Sequence, residues 1–235
     1  MKKIIRFVKQ IFLFAAIYVA LSAFIVLFFR FVPPPVTAFI NEKSNPVTGI
    51  FTGSDVDQKW MKVQNISRYA ALAAIASEDQ LFFDHFGFDF DQIEKAMKEN
   101  EHRKKIRGAS TISMQAAKNL FLSPGKNLIR KGLEAYYTLL LETLWGKERI
   151  IEVYLNIAEM GRGVYGIEAA SRLYYHKPSV KLTAGEAAMI IAILPNPTER
   201  DPRSPSAYLT VRRDRILEQM NLIGGIEILK DYIDY

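Results

Sequence analysis

The sequence predicts an all-α domain preceded by one N-terminal membrane-spanning helix, and three observations carry that prediction. Residues 11–29 form an apolar run broken only by Tyr18 and Ser22. From residue 67 onward, apolar side chains recur at helical spacing behind residues that cap helices. No stretch shows the apolar–polar alternation that strands of a multistranded sheet would need.

The N-terminal run would be roughly 28 Å long as a helix, close to the thickness of a bilayer core. A basic tail over residues 1–10 holds Lys2, Lys3, Arg6 and Lys9, and Arg30 closely follows the run. Such a bias predicts the N-terminus inside the membrane and the rest outside. The small residues around Ala20 and Ala23 suit a cleaved signal peptide. The apolar run continues past them, however, which favours an uncleaved anchor over residues 11–30.

With 235 residues, the chain has room for that anchor and one domain of ordinary size. Its formal charge is +6, yet beyond Arg30 only 26 bases face 25 acids. The excess therefore sits at the anchor, and a nucleic-acid partner is not indicated. Cysteine is absent, which fits an oxidising compartment and a cytoplasmic one alike.

Residues 31–64 read as a linker and membrane-proximal segment. Pro33, Pro34 and Pro35 make a stiff spacer, and residues 36–64 have room for a short hairpin. Residues 65–235 read as the folded domain. Ser67 is placed to cap a helix ending near Ser77, Asp89 to cap FDQIEKAMKEN, and Ser110 to cap TISMQAAKNLFL. After the break at Pro124-Gly125, a long helix over 127–145 carries Leu133, Tyr136, Tyr137, Leu140, Leu141 and Leu144 as a core stripe. Helices over 147–160 and 167–175 flank the glycine turn GRGVYG. Thr183 and Glu186 have capping-box spacing before AAMIIAIL, which Pro195 and Pro197 end, and an amphipathic helix covers 208–223.

The most informative segment is SEDQLFFDHFGFD, residues 77–89, where an alanine-rich helix runs into an aromatic loop at Glu78 and Asp79. Desolvation disfavours the charged form of a carboxylate, which poises such a group for proton transfer near neutral pH. The residues alone leave open an ordinary solvated helix end. A second segment, KNLFLSPGKNLIRKGLE, gathers Lys118, Lys126, Arg130 and Lys131 around a helix start. Glu134 is four residues from Arg130 and three from Lys131, on one helix face. This is either a surface ion-pair group or an anion clamp held by a carboxylate.

Several function classes are excluded. Gly161, Gly163 and Gly166 match a dinucleotide pattern but follow a helix, so no strand–turn–helix unit exists to hold a pyrophosphate. Ser123 and Lys126 fit S-x-x-K across a Pro-Gly break that prevents the required helical turn, which removes a penicillin-binding transpeptidase site. His85, His102 and His176 lie in separate segments without zinc-ligand spacing.

The segment SEDQLFFDHFGFD resembles the first motif, E-D-x-x-F-x-x-H-x-G-x-D, of the peptidoglycan glycosyltransferase family. RGASTISMQAAKNLF is similar to the second motif and RKGLEAYYTLLLE to the third. KERIIEVYLNIAEMGRGVYGIEAASRLYY and LTAGEAAMIIAILPNP are similar to the fourth and fifth. The resemblance implies a lysozyme-like glycosyltransferase domain over 65–235 that polymerises lipid II into glycan strands, releasing undecaprenyl diphosphate. It implies Glu78 as the general base, with Glu134 as a second carboxylate steadying Lys131 or Arg130, or a divalent ion. Lys118, Lys126 and Arg130 would neutralise the leaving diphosphate. Ser110, Thr111, Gln115 and Asn119 would line the substrate site, supported by Asp79, Phe82 and His85.

No cofactor is obligatory on this reading, although Mg²⁺ or another divalent cation is compatible with it. The implied partners are lipid II, the nascent glycan strand, the bacterial inner membrane and, as candidates, division or elongation proteins. A basic loop over 101–107 is expected to move between donor and acceptor sites. One departure stands out: Met114-Gln115 replaces two consecutive glutamines, removing whatever bond the first amide makes. Rival functions are a cell-wall muramidase or lytic transglycosylase and an inactive membrane scaffold. A hydrolase has no use for a diphosphate clamp.

Overall fold

The structure is a computed structural model and describes residues 2–34, 57–101, 108–123, 125 and 127–235. Most of the stretch expected to hold a hairpin, most of the basic loop and Lys126 lie outside the described residues. Among those described there are nine α-helices and one two-stranded pairing, so the all-α class holds.

Helix α1, Lys2–Phe31, is long and apolar enough to cross a membrane, and it continues through the basic tail. It lies along α5, Leu128–Leu144, through contacts that begin in the middle of the apolar run. The Tyr18 and Tyr137 hydroxyls are 3.1 Å apart, and Ser22 and Tyr136 are 2.6 Å apart. Trp145 Nε1 donates to the Val26 carbonyl, Arg149 to those of Phe29 and Val32, and Arg30 to that of Leu144. Arg149 takes up the Phe29 carbonyl in the last turn of α1, and Arg30 the Leu144 carbonyl at the end of α5, where carbonyls have no partner within the helix. The anchor is thus bonded to the domain at several points.

The short strand β1, Asp57–Gln58, pairs in parallel with β2, Val164–Tyr165. A parallel pair cannot close a hairpin, so the described end of segment 36–64 is a clasp on a distant turn. Gly166 follows β2 with φ of +84°, and a Cβ there would lie 2.6 Å from the Asn156 carbonyl oxygen. The glycine turn therefore serves a close backbone approach and a left-handed conformation.

Helix α2, Arg68–Glu78, is the centre of the core: residues 70–76 are all buried and five of them are alanines, so neighbours approach closely. Against it pack α8, Ala184–Ala192, and α9, Ala207–Leu222. On the other side α4, Ile112–Phe121, packs against α5 and α6, Lys147–Ile157. The remaining helices are α3, Phe90–Asn100, and α7, Ile167–Tyr175.

The helix starts follow the expected chemistry with two corrections. Asp89 accepts from Gln92 N at 2.8 Å, and Thr183 with Glu186 forms the capping box. Helix α4, however, is capped by Thr111, whose hydroxyl accepts from Met114 N, while Ser110 is exposed one residue earlier. Ser67 occupies the cap position of α2 but donates its hydroxyl to the Leu182 carbonyl, joining two elements instead of closing one. A hydroxyl that can bond across the fold has alternatives to the local cap.

Candidate active site

A cleft of about 800 Å³ opens where the C-terminal end of α2 faces α4, α6 and α9. Its lining includes Glu78, Asp79, Ser110, Thr111, Gln115, Lys118 and Asn119, so residues far apart in sequence meet here. Glu78 is the last residue of α2, and its side chain is 18% exposed. Gln115 Nε2 donates to Glu78 Oε2 at 3.2 Å, and Ser77 Oγ donates to Oε1 at 2.9 Å. The solvated-helix-end alternative does not hold, because the carboxylate is enclosed and oriented by neighbours.

Asp79 lines the cleft beside Glu78 with both carboxylate oxygens engaged. Its Oδ1 accepts from His85 Nε2 at 2.8 Å and its Oδ2 from Ile112 N at 2.9 Å. The carboxylate thus meets the positive end of α4 and ties the aromatic loop to it. Phe82 is wholly buried below, with Lys147 Nζ 4.7 Å from its ring centre. Lys147 also donates to the His85 carbonyl and to Glu142, which accepts from Ser113. At Gly87, φ is +81° and a Cβ would lie 2.8 Å from the Thr138 side chain, so the loop needs glycine there. Thr111 Oγ1 donates to the Gly87 carbonyl at 2.7 Å. Asp79, Phe82 and His85 thus hold together the loop that follows Glu78.

The cations sit on the α4–α5 side. Burial pushes the Lys118 ammonium below the ordinary lysine value; Glu134 opposes this, and Arg130 and Lys131 add to it. Glu134 is 3% exposed. Lys131 Nζ donates to its Oε1 at 2.5 Å, and Arg130 Nη1 lies 3.7 Å from its Oε2. Arg130 Nε is buried without a hydrogen-bond partner. Both carboxylate oxygens face cations, and among the described residues no three His, Cys, Asp or Glu side chains gather to hold a metal. Glu134 is thus set among cations of its own helix.

Among the cleft residues not expected from the sequence are Tyr154 and Arg212. Tyr154 of α6 is buried in the wall, and burial, with the charges of Glu78 and Asp79, raises its phenol well above the ordinary tyrosine value. Arg212 of α9 lies with Nη2 3.3 Å from Glu78 Oε1. A signal for Arg212 was present: it is three residues after Leu209 and four before Ile216, both buried, so a charge occupies the core-facing stripe.

Comparison with known proteins places this geometry. The family model described as Transglycosylase matches residues 43–221. The chain belongs to the transglycosylase family. The biosynthetic peptidoglycan transglycosylase of Mannheimia succiniciproducens is 46% identical over 212 residues, covering 90% of this chain and 87% of that protein. That of Pasteurella multocida is 44% identical over 222 residues, covering 93% and 89%. That of Shigella sonnei is 52% identical over 174 residues, covering 74% and 72%.

Within this transglycosylase, Met114 is 4% exposed and lies outside the cleft lining, whereas Gln115 reaches the carboxylate. The departure at position 114 thus exchanges a side chain that packs inward and leaves the contact to Glu78 in place.

Proposed function

We propose that the enzyme polymerises peptidoglycan glycan strands, moving the growing lipid-diphosphate-linked chain onto the 4-hydroxyl of lipid II N-acetylglucosamine. The observation that carries this is the cleft itself: one oriented carboxylate, Glu78, faces a lysine, Lys118, flanked by further cations. Glu78 takes the proton of the acceptor hydroxyl as its oxygen attacks the donor's anomeric carbon. The bond to the diphosphate breaks on the opposite side, so an α-linked donor gives a β-linked product in one displacement. Lys118, with Arg130 and Lys126, neutralises the charge developing on the diphosphate. Glu134 keeps Arg130 and Lys131 in place, and Ser110, Thr111 and Asn119 line the path of the substrate.

The basic tail and α1 support a single-pass inner-membrane protein with its N-terminus in the cytoplasm. Contacts from Tyr18 and Ser22 to α5 support a reading in which that side of the domain lies against the lipid surface. Leu128 and Ile129, at the start of α5, are 90% and 80% exposed, as lipid-facing side chains would be. Division or elongation proteins are candidate partners of α1.

The test is to supply the purified full chain with labelled lipid II and follow polymer and undecaprenyl diphosphate. Glu78→Gln is expected to lower kcat by about 10²–10⁴, the usual share of a general base, with KM little changed. Polymer made equally well by the variant would sink the base assignment. Cleavage of finished glycan, with no polymer, would instead identify a hydrolase.

A further inference from the structure

The Glu78 carboxylate has two inequivalent oxygens. Oε2 accepts one bond, from Gln115 at 3.2 Å. Oε1 accepts from Ser77 Oγ at 2.9 Å and from Arg212 Nη2 at 3.3 Å, and the same Nη2 donates to Ser77 Oγ at 3.0 Å. Arg212 is itself fixed, since its Nε donates to the Ala192 carbonyl at 3.1 Å. Ala192 ends α8, where carbonyls lack partners within the helix and carry its negative end. Helices α8 and α9, more than a hundred residues after Glu78, therefore reach back to the proposed base.

We infer that Arg212 is a positioning residue for Glu78, clamping Oε1 together with Ser77 so that Oε2 is the oxygen presented to the acceptor hydroxyl. A carboxylate at a helix end turns freely about its terminal bonds unless one oxygen is held. A guanidinium does this well because its planar fork serves two partners at once, here the α8 terminus through Nε and the carboxylate through Nη2. A lysine at the same place would keep the charge but could not hold both with fixed geometry. The inference rests on the reading of Glu78 as the base.

The experiment measures kcat and KM for lipid II polymerisation by the full chain carrying Arg212→Ala, Arg212→Lys, Glu78→Gln, and Glu78→Gln with Arg212→Ala. Misplacing a reacting group by about 1 Å costs up to about 10²-fold. Arg212→Ala is therefore expected to lower kcat about 10- to 100-fold with KM within about threefold, and Arg212→Lys to fall between it and wild type. The double variant is expected to be no slower than Glu78→Gln alone, because Arg212 acts through that carboxylate.

A raised KM with unchanged kcat would overturn the inference, as would a double variant slowed by the full Arg212→Ala factor; both would place Arg212 on substrate. If Arg212→Ala does not fold, as judged by circular dichroism, Arg212→Lys and Arg212→Gln carry the same comparison. Full activity of Glu78→Gln would remove the underlying base reading. An inactive Glu78→Gln beside a fully active Arg212→Ala would remove this inference alone.

Discussion

Glu78 and Glu134 are both enclosed glutamates on helices beside Lys118, and their surroundings divide the labour between them. Glu78 ends a helix and opens on the cleft, with an amide on one oxygen and a hydroxyl and a guanidinium on the other. Glu134 sits in the first half of α5, is 4% exposed at its side chain, and has a cation on each oxygen. On the proposed mechanism the first, open to the cleft, is the reagent, and the second, shut away beside its cations, is the scaffold. The difference lies in whether the carboxylate can meet a substrate hydroxyl or only its neighbours. Lys118 lies between the two roles, since both glutamates act on its charge.

Removing that lysine is expected to have the largest effect on the cation side. Lys118→Ala should lower kcat/KM about 10²–10³-fold, the range for loss of one donor to a developing anion. Helical circular dichroism should stay as in wild type, and unfolded protein would instead indicate a structural ion pair. The pH dependence sharpens this. The Lys118 value is lowered from 10.5, so its positive charge is complete only below a pH that itself lies below 10.5. Activity that needs the charge should fall as pH rises through that lowered value, earlier than for an ordinary lysine. Stability should move the other way: holding a charged Lys118 costs the fold most at lower pH, and the cost is relieved as pH rises from the lowered value toward 10.5. Lys118→Arg, which stays charged, should lose the alkaline fall in activity. An unchanged alkaline limb in that variant would assign the fall to another group.

Glu134→Gln is expected to act at one remove. Its amide keeps the shape but leaves Arg130 and Lys131 without their countercharge. Breaking a fully buried pair costs about 3–5 kcal/mol, but these cations are 20% and 49% exposed, so about 1–2 kcal/mol is expected here. Denaturant unfolding measures that loss. Activity should drop about 10-fold with a raised KM for lipid II, since the clamp is loosened and the base untouched. A fall in kcat as deep as that of Glu78→Gln would erase the distinction between reagent and scaffold.

This division was only partly legible in the sequence, for reasons that differ by residue. Local signals held where a residue's best partner is a few positions away, as at Asp89 and in the Thr183–Glu186 capping box. They slipped at Ser67, which has a better partner across the fold, and by one residue at Ser110. Ser67 bonds Leu182, and the cap expected at Ser110 falls on Thr111. Pairing of Asp57 with Val164 is fixed by tertiary packing and leaves no mark on either segment. In the site, Glu78, Lys118 and Glu134 drew attention by their local settings and Gln115 through the motif resemblance, and they lie on α2, α4 and α5. Arg212 did not, because its partners, Ala192 and Glu78, are set by how α8 and α9 fold back on α2. Its place on the apolar stripe of α9 was the available hint, since a charge facing the core needs a partner.

Lys131 offers the smallest test and separates the two cations of the scaffold. Its contact with Glu134, at 2.5 Å, is shorter than that of Arg130, at 3.7 Å, which by distance alone would make it the stronger. Solvent reverses the order. The Lys131 side chain is 49% exposed and Arg130 only 20%, and Arg130 Nε is buried with no hydrogen-bond partner. Exposed pairs contribute about 0–1 kcal/mol because water screens the charges and a long side chain must be ordered to make them. Lys131→Ala should therefore shift unfolding by under about 1 kcal/mol and change kcat/KM by under about threefold. Arg130→Ala should exceed it on both measures, because the guanidinium is drier and shares Glu134 with Lys118. If Lys131→Ala proved the more damaging of the two, the exposed lysine and not the sheltered arginine would be the cation that Glu134 holds for the diphosphate.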